Sequence, residues 1–296
     1  MFDARQRNEI GILMLIEILC TGDEILTGKT VNTNYSHMAR RFGEVGLTMH
    51  WSTVVGDDRS CLATAFQQAS QRADAVIVNG GLGPTVDDLS QEVAAEAAGV
   101  GLILDENWLS RMLDFYKRRG RTMPPNNKKQ AMLPEGAEFI DNPIGTACGF
   151  AINIGSARFF FTPGVPREMR KMIDEQVIPR LLEMSGLKVV NRLKRFHSFG
   201  IGESRADQLL SDVEALAVDD SLKLGFQAHY PQLETKLSAQ AATNEDLDVK
   251  LAPAIEMVRE RLGTFIVAED DQTLEQVVID SLTCQNATLA TAEMFT

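Results

Sequence analysis

Several common classes of site and segment are missing from this 296-residue chain. No run of 18 apolar residues occurs, so the sequence predicts no membrane-spanning helix. The four cysteines are far apart and form no CxxC pair, which argues against zinc-finger and redox motifs and favours reduced thiols in a cytoplasmic protein. Neither a Walker A motif nor a GxGxxG dinucleotide fingerprint is present, and no motif supports a serine-histidine-aspartate triad.

The charge balance is one-sided. Lysine and arginine number 29 against 41 aspartates and glutamates, and the formal net charge is −12. Such an acidic chain is a poor match for phosphate backbones, so we expect no nucleic-acid partner, and no membrane partner either. An anionic small substrate would need local backbone N–H groups, a few basic side chains or a metal ion.

Apolar runs that alternate with amphipathic segments predict an α/β layered domain over residues 14–186, after an N-terminal extension over residues 1–13. Strands are predicted at 15–19, 49–55, 75–78, 138–140, 150–154 and 158–161. Helices are predicted at 34–44, 60–72, 89–98, 108–119 and 167–183. The closely spaced last strands indicate an antiparallel edge on a mostly parallel sheet.

A small α+β module is predicted over residues 187–268. Its elements are strands at 195–199, 222–229 and 234–241 and helices at 203–216 and 244–262. Residues 269–296 are interpreted as a linker and the truncated start of a further domain. There Glu269–Asp271 is expected to be a solvated linker, followed by a helix at 273–284 and a strand at 287–292.

The most informative stretch is AVIVNGGLGPTVDD, residues 75–88, where a buried-strand pattern gives way to a glycine-rich turn. Gly80, Gly81 and Gly83 lack Cβ atoms, so the turn can adopt positive φ and a ligand can approach the backbone closely. Thr85 lies in the same turn. This combination predicts an active-site or ligand-binding loop.

Two carboxylates, Asp87 and Asp88, end that stretch and can hold a metal or a polar substrate. Asp88 with Gln91 also fits a capping box at the start of a helix. This alternative would use one of the two acids, so Asp87 is the better single candidate for chemistry.

Other loops near predicted strand ends carry further candidates, because open α/β sheets bind ligands beyond the carboxyl ends of their strands. The candidates are Asp23 and Glu24 in TGDEILTG, Asn32 and Asn34 in VNTN, Lys128 in PPNNKKQ, Gly145 and Thr146 in NPIGTACGF, and Pro163, Gly164 and Glu168 in TPGVPRE. Structural alternatives stay open: a helix start or turn for the acids, a helix N-cap for the asparagines, a hairpin turn for NPIGTACGF and a solvated helix face for the lysine.

TGDEILTG, VNTN, GGLGPTVDD, NPIGTACGF and TPGVPRE, in this order and spacing, resemble the competence/damage-inducible CinA family over nearly the whole chain. The resemblance implies a first domain of the molybdopterin-binding MoaB/MogA type, a three-layer α/β sandwich, and then a KH-type domain. It further implies metal-dependent ADP-ribose pyrophosphatase activity in the first domain. In that case Asp23, Glu24, Asp87 and Asp88 would surround the substrate's diphosphate.

Many members of that family also carry a C-terminal domain that deamidates nicotinamide mononucleotide. It starts with a segment like TAESCTGG, whereas this chain reads TAEMFT at residues 291–296. We therefore expect no deamidase activity from this polypeptide. Residues 1–13 precede the usual start in the family, which makes Met14 an alternative initiator.

The leading functional hypothesis is hydrolysis of the diphosphate bond of ADP-ribose or a related nucleotide. A divalent cofactor, Mg²⁺, Mn²⁺ or Co²⁺, would be held by Asp87 and Asp88, with Asp23 or Glu24 as a further ligand or general base. The expected partners are a nucleotide-diphosphate small molecule and further copies of the chain in a dimer or trimer. The alternatives are a non-catalytic oligomeric module that binds a nucleotide or molybdopterin, and a molybdopterin adenylyl transferase. The last ranks lower because the chain reads GGLGPTVDD and not GGTG.

Overall fold

The structure is a computed structural model that describes residues 14–187, 190–217 and 221–294. Within these ranges the chain forms two compact units. The first comprises residues 14–43 and 47–187, and the second comprises residues 44–46 with the described residues from 190 onwards. The predicted N-terminal extension, residues 1–13, lies outside the described residues.

The first unit alternates strands and helices along the chain. Its elements are β1 (Ile16–Thr21), α1 (Asp23–Leu26), α2 (Thr33–Glu44), β2 (Met49–Val55), α3 (Arg59–Arg72), β3 (Ala75–Asn79), α4 (Ser90–Ala98), β4 (Leu102–Leu104), α5 (Glu106–Arg118), a 3₁₀ helix (Pro125–Ala131), β5 (Met132–Pro134), β6 (Glu138–Ile140), β7 (Gly149–Ile154), β8 (Ala157–Thr162), α6 (Pro166–Met172), a π-helical turn (Ile173–Val177) and α7 (Ile178–Ser185).

A six-stranded sheet forms the middle of this unit, with strand order β2-β1-β3-β8-β7-β6. The first four strands are parallel, whereas β7 and β6 complete the sheet in antiparallel fashion. Every residue of β1 and of β3 is buried, as their continuous apolar runs predict for strands covered on both faces. The predicted mostly parallel sheet with an antiparallel edge is confirmed.

Successive side chains of a strand point to opposite faces, so the apolar strands present apolar side chains on both faces of the sheet. Helices cover both faces. On one face Phe161 packs against Phe66 of α3 with ring centroids 5.6 Å apart. The neighbouring Phe160 is buried on the other face. α2 and α6 bury Met38 and Met172, which, like Phe160, lie outside the core cluster that contains Phe66 and Phe161. The predicted three-layer sandwich is therefore confirmed.

A buried ion pair stabilises β1. Glu17 is fully buried, and its carboxylate accepts hydrogen bonds from Arg72 Nε at 2.8 Å and from Thr53 Oγ1 at 2.6 Å. A buried charge persists when a partner and further hydrogen bonds compensate its lost hydration. Arg72 ends α3, so the pair also joins this helix to the sheet.

The helix predicted at 167–183 is interrupted by the π-helical turn Ile173–Val177. Pro179 lies just inside α7. A proline has no N–H to donate to the fourth carbonyl before it, and its ring crowds that carbonyl. We attribute the wider turn to this proline.

Several short elements were not predicted: α1, the 3₁₀ helix, and the antiparallel pair of β4 and β5. α1 has four residues, and β4 and β5 have three each. Such lengths are too short to show either the helical or the strand period in a sequence.

The second unit has a four-stranded antiparallel sheet in the order β10-β11-β9-β12. Its elements are β9 (Val190–Phe199), α8 (Glu203–Leu210), β10 (Leu222–His229), β11 (Gln232–Ala241), α9 (Asn244–Leu262), β12 (Ile266–Glu269) and α10 (Leu274–Cys284). Alternate residues of β11 are buried, which gives the sheet one apolar face. Phe196 and Leu237 form the core with Leu251 and Val258 of α9.

Three predictions for the second unit were wrong. The helix predicted at 203–216 ends at Leu210, and a 3₁₀ turn follows at Glu214–Leu216. Glu269 is not in a linker: it ends β12 and accepts a 2.9 Å hydrogen bond from Arg259 Nε. No strand forms at 287–292 within the described residues, because apolar residues alone do not make a strand without a partner to pair with.

No helix in the described ranges is both long enough and apolar enough to cross a membrane.

Candidate functional site

A cavity of about 470 Å³ lies where β1, β3 and β8 end. Thr21 ends β1, Gly80 follows β3, and Pro163 follows β8; all three line the cavity. Parallel strands bring their carboxyl ends to one edge, so loops distant in sequence meet there. We call this cavity the strand-end pocket. Its lining residues are Thr21, Gly22, Glu24, Asp57, Gly80, Gly81, Leu82, Gly83, Pro84, Asp87, Asp88, Asn127, Gln130, Thr146, Ala147, Pro163, Gly164, Val165 and Glu168.

The loop of residues 141–148 reaches the same edge although it precedes a strand. β7 runs antiparallel to β8, with Phe150 opposite Phe161, so β7 starts beside the end of β8. Thr146 therefore lines the pocket. Trp108 Nε1 holds the loop by donating a 3.0 Å hydrogen bond to the Thr146 carbonyl. The loop is thus both the β6–β7 connection and a wall of the pocket.

The glycines of the GGLG turn are needed for two different reasons. Gly80 and Gly81 have φ of +116° and +68°, a region that other residues rarely adopt. A Cβ on Gly80 would also lie 2.9 Å from the Thr21 carbonyl oxygen. Gly83 does not have a positive φ, but a Cβ there would overlap the Asp88 carboxylate. The turn can pack this closely because all three residues are glycine.

A buried amide network fixes the loops after β3 and β8. Asn79 Nδ2 donates to the Pro163 carbonyl at 2.8 Å. Asn34 Nδ2, from α2, donates to Asn79 Oδ1 at 2.9 Å and to the Gly164 carbonyl at 2.7 Å. Asn34, a predicted substrate ligand, therefore positions the two loops and does not line the pocket.

Carboxylates provide all the charge in the lining: among the described residues no lysine or arginine lines the pocket. Burial raises the pKa of Asp57, and the negative charges of Asp23, Glu24 and Asp87 raise this pKa further. The acids are therefore close enough to repel one another. Such a pocket favours a ligand that brings N–H donors or positive charge.

Thr85 fixes the orientation of Asp88. The Thr85 N–H donates a 2.8 Å hydrogen bond to Asp88 Oδ2, and Thr85 Oγ1 donates to the same oxygen. The interpretation of Asp88 as a helix cap is wrong, because α4 starts at Ser90 with Leu89 at its N-cap and has no side-chain cap. The carboxylate turns back onto Thr85 and lines the pocket, whereas Thr85 does not.

Glu168 of α6 is tied to the loop of residues 141–148. Asn142 Nδ2 donates to Glu168 Oε2 at 2.7 Å and to the Ala147 carbonyl at 2.8 Å. Asn142 Oδ1 accepts the Gly145 N–H at 3.0 Å. The Gly145 N–H, predicted to bind phosphate, is therefore already used, and a Cβ at Gly145 would overlap Glu168.

The structure brings ten of the predicted site residues together. They are Glu24, Gly80, Gly81, Gly83, Asp87, Asp88, Thr146, Pro163, Gly164 and Glu168. The predicted residues outside the lining are Asp23, Asn32, Asn34, Thr85, Lys128 and Gly145.

Three of these outside residues have clear structural positions. Asp23 lies beside the pocket, because its N–H donates to Asp57 Oδ2 and its Oδ1 accepts the Asp57 N–H, both at 3.2 Å. Asn32 Oδ1 accepts the Tyr35 N–H at 2.9 Å, so it caps the start of α2. Lys128 is exposed on the 3₁₀ helix.

Asp57, Asn127 and Gln130 also line the pocket, although the sequence did not predict them as site residues. Asp57 lies two residues after β2, a parallel strand that ends at the same edge, and that position was the available signal. Gln130 Nε2 donates to the Leu82 carbonyl at 3.3 Å, and Asn127 Nδ2 donates to Gln130 Oε1 at 2.9 Å. The sequence around these two amides has no periodicity that marks them.

One buried oxygen of the lining has no partner within the described part of the chain. Thr21 is 5% exposed, and its Oγ1 makes no hydrogen bond. A buried polar group without a partner costs about 1–3 kcal/mol. Other buried side-chain atoms of the described residues, such as Asn34 Oδ1 and Gln91 Oε1, also lack a partner, but Thr21 Oγ1 is the one among them that lies in the pocket lining, where a ligand can reach it.

The lining fits a divalent ion incompletely. The described residues contain no group of three or more histidine, cysteine, aspartate and glutamate side chains that could hold a metal. Mg²⁺ can bind through one or two carboxylates if a ligand and water supply the remaining oxygens. The predicted metal at Asp87 and Asp88 would therefore depend on further oxygens from a ligand or water, because the described residues group no third metal-binding side chain with them.

We expect Asp57→Asn to stabilise the protein at neutral pH and to have little effect near pH 3. A raised folded-state pKa means that the charged carboxylate destabilises the fold once the pH exceeds that pKa, and asparagine cannot ionise. Urea unfolding at both pH values measures the difference.

The neighbouring Asp58→Asn is the matched control with the opposite sign. Hydrogen bonds from Ser60 and Cys61 lower the pKa of Asp58 to about 2. Its charged form therefore stabilises the fold above the unfolded pKa, and this contribution is lost as the pH falls towards 2. Asp58→Asn should destabilise the protein at neutral pH. Equal effects of the two substitutions would contradict the assignment for Asp57.

Two families match the chain in sequence. Residues 17–183 match the family described as probable molybdopterin binding domain, and residues 193–268 match the damage-inducible protein CinA KH domain. The predicted MoaB/MogA-type domain and the KH-type domain after it are confirmed.

Curated relatives match across both units. A CinA-like protein of Shewanella sp. (strain MR-4) is 40% identical over 284 residues, which cover 96% of this chain and 65% of the relative. The nicotinamide-nucleotide amidohydrolase PncC of Shewanella oneidensis is 40% identical over 283 residues, with the same coverage. The chain thus spans 65% of the length of these relatives.

A solved structure also matches. The crystal structure of the protein CinA with unknown function from Thermoplasma acidophilum is 34% identical and covers 56% of this chain and 96% of its own, with a TM-score of 0.51.

These findings overturn one prediction. The prediction of metal-dependent ADP-ribose pyrophosphatase activity is wrong, because the matched family is described as a probable molybdopterin binding domain and a curated relative is named as a nicotinamide-nucleotide amidohydrolase.

Proposed function

The chain belongs to the CinA-like protein family, and on that premise we propose that its first unit binds a phosphorylated heterocycle, either a molybdopterin or a nucleotide. The observation that carries the proposal is the unpartnered Thr21 hydroxyl in a pocket lined by carboxylates. The proposed role is binding, because a binding site needs neither a general base nor a nucleophile.

The lining is suited to the heterocycle. A pterin ring presents adjacent N–H and amino donors, a nicotinamide presents its carboxamide N–H groups, and ionised carboxylates are acceptors. Asp87 makes no hydrogen bond or ion pair within the described residues and lines the pocket, so its carboxylate is available to such a donor. Thr21 Oγ1 can donate to a ring carbonyl or accept from an amino group.

Binding of a divalent ion at Asp87 and Asp88 is a separate proposal. If the ligand's phosphate were to lie among the carboxylates, a cation would be needed to offset their repulsion. Affinity in the presence of EDTA should then fall steeply. If the heterocycle lies there instead, EDTA should leave the affinity unchanged.

We expect Thr21→Val to weaken ligand binding about tenfold, the loss of one hydrogen bond, without lowering stability. Valine has nearly the same shape as threonine and removes an oxygen that has no protein partner. Calorimetric titration with molybdopterin under anaerobic conditions, and separately with nicotinamide mononucleotide, measures the affinity. Thermal unfolding measures the stability.

Thr162→Val is the matched control, since Thr162 Oγ1 accepts a 3.2 Å hydrogen bond from Asn79 Nδ2. This substitution should destabilise the fold by about 1 kcal/mol or more. A Thr21→Val protein that binds as tightly as wild type would exclude Thr21 from the site. Absence of binding of both compounds to the wild-type protein would overturn the proposed function.

A second candidate is nicotinamide-nucleotide amidohydrolysis, favoured by the name of the Shewanella oneidensis relative. It is a candidate for the whole protein, since this chain spans 65% of that relative. Ammonia release from nicotinamide mononucleotide tests it in a protein of the relative's full length, whereas this chain alone is expected to release none. Assembly into a dimer or trimer is also a proposal, and sedimentation equilibrium would measure it.

A further inference from the structure

A second cavity of the first unit, of about 590 Å³, adjoins the strand-end pocket. The two cavities share Val165 and Glu168. We call the second cavity the arginine groove. It is lined by Phe115, Arg118, Arg119, Ile144, Val165 and Arg167, among others.

The two cavities have opposite electrostatic character. The strand-end pocket is lined by five carboxylates, whereas the arginine groove has three guanidinium groups and one carboxylate, that of Glu168. Because Asn142 donates to Glu168 Oε2 at 2.7 Å, the shared carboxylate is already engaged with the loop of residues 141–148.

The groove arginines form no ion pair within the described residues, although the chain has a net charge of −12. Elsewhere in the same unit Arg41, Arg59 and Arg111 each pair with a carboxylate at 2.7–2.9 Å. Three neighbouring guanidinium groups carry more positive charge than the one carboxylate of the groove offsets, so they repel one another. An anion in the groove would remove that repulsion.

One of the guanidinium groups is held in place by an aromatic ring. Arg119 Cζ lies 3.4 Å from the centroid of the Phe115 ring. A cation above a ring face at this distance is attracted by the ring, which restricts the position of the guanidinium. Ile144 and Val165 add apolar walls, which strengthen an ion pair by reducing its contact with water.

We propose that the arginine groove binds the phosphate of the ligand whose heterocycle occupies the strand-end pocket. Arginine binds phosphate through two parallel N–H···O hydrogen bonds, a geometry that a carboxylate-lined pocket cannot offer. The inference rests on the proposed function for the heterocycle, but phosphate binding in the groove can be measured independently. It also explains how an acidic pocket accepts an anionic ligand without a metal ion.

The probe for the groove is inorganic pyrophosphate in EDTA, titrated into the full chain by calorimetry. We expect Arg118→Ala, Arg119→Ala and Arg167→Ala combined to weaken its binding at least about tenfold. The matched control is Lys117→Ala, Arg121→Ala and Arg170→Ala combined. It removes the same charge from the same part of the chain, and none of its residues lines the groove. This control should change the affinity less than about threefold, by long-range electrostatics alone.

Equal losses in the two triple variants would overturn the proposal, because binding would then follow the overall charge. No binding of pyrophosphate to the wild-type protein would overturn it as well. Circular dichroism and the unfolding midpoint verify that both variants fold.

A second titration separates this proposal from the proposed function. Whichever of nicotinamide mononucleotide and molybdopterin binds wild type should bind the groove variant at least about tenfold more weakly. If either binds wild type and the groove variant equally well, the proposed function stands and the groove assignment fails. If neither binds while pyrophosphate still distinguishes the two triple variants, the proposed function fails and the groove remains an anion site.

Discussion

Arg72→Ala is expected to lower the free energy of unfolding by about 3 kcal/mol, because it leaves the Glu17 carboxylate buried without its counter-charge. Glu17 is 0% exposed, and Arg72 supplies two of the hydrogen bonds to it, at 2.5 and 2.8 Å. Thr53 is the remaining donor and carries no charge. Chemical denaturation followed by circular dichroism gives the free energy.

Two further variants test the cause. Arg111→Ala also removes an arginine–carboxylate pair, but a solvent-exposed one, and should cost about 1 kcal/mol or less. The double variant Glu17→Met with Arg72→Met replaces both charges by apolar groups and should recover most of the loss. If Arg72→Ala costs no more than Arg111→Ala, the buried pair does not contribute as described.

The parts of the fold that the sequence predicted are those in which burial produces a regular pattern. The bounds of β2 and α9 agree with the prediction to the residue, because each element is long enough for its strand or helix period to be recognised in the sequence. The failures have local or tertiary causes. Residues 167–183 have a continuous helical pattern, but Pro179 introduces a π-helical turn into it. Residues 287–292 have the composition of a strand, but they have no strand to pair with in the described part of the chain.

The site was predictable to the extent that it follows from parallel strands. Loops after β1, β3 and β8 had to meet at one edge, and their residues line the strand-end pocket. What the sequence could not show is which polar groups are already used by the protein. Asn34 and the Gly145 N–H engage other parts of the fold, whereas the Thr21 hydroxyl engages none within the described residues.

The electrostatic arrangement was also beyond the sequence. Arg118 ends α5 and Arg119 follows it, whereas Arg167 is the second residue of α6, after a separate strand. Nothing in their spacing indicates a common groove. The fold places these arginines in the arginine groove and most of the carboxylates in the neighbouring strand-end pocket. A basic cavity and an acidic cavity therefore lie side by side in a chain that is acidic overall.

Gly81→Ala is expected to lower the free energy of unfolding by about 3 kcal/mol and to weaken ligand binding, for two reasons that can be separated. Gly81 has φ +68°, which costs a residue with a Cβ about 1–2 kcal/mol. The added Cβ would also lie 3.2 Å from Ser90 Cβ, 3.3 Å from Ser90 N, and would overlap Ser90 Oγ. Relief of that contact must disturb the 3.1 Å hydrogen bond from Ser90 N to the Gly81 carbonyl.

Gly99→Ala isolates the first reason. Gly99 has nearly the same φ, +71°, but a Cβ there meets nothing within 4 Å, so this substitution should cost about 1 kcal/mol and leave binding unchanged. In a double-mutant cycle, Ser90→Ala removes the overlapping oxygen and should couple favourably to Gly81→Ala by about 1 kcal/mol. Equal costs at Gly81 and Gly99 would mean that φ alone requires glycine here. A larger cost at Gly81, with the expected coupling, would show that position 81 requires glycine because the start of α4 packs directly against the turn. This packing also brings Asp88, two residues before Ser90, into the pocket lining.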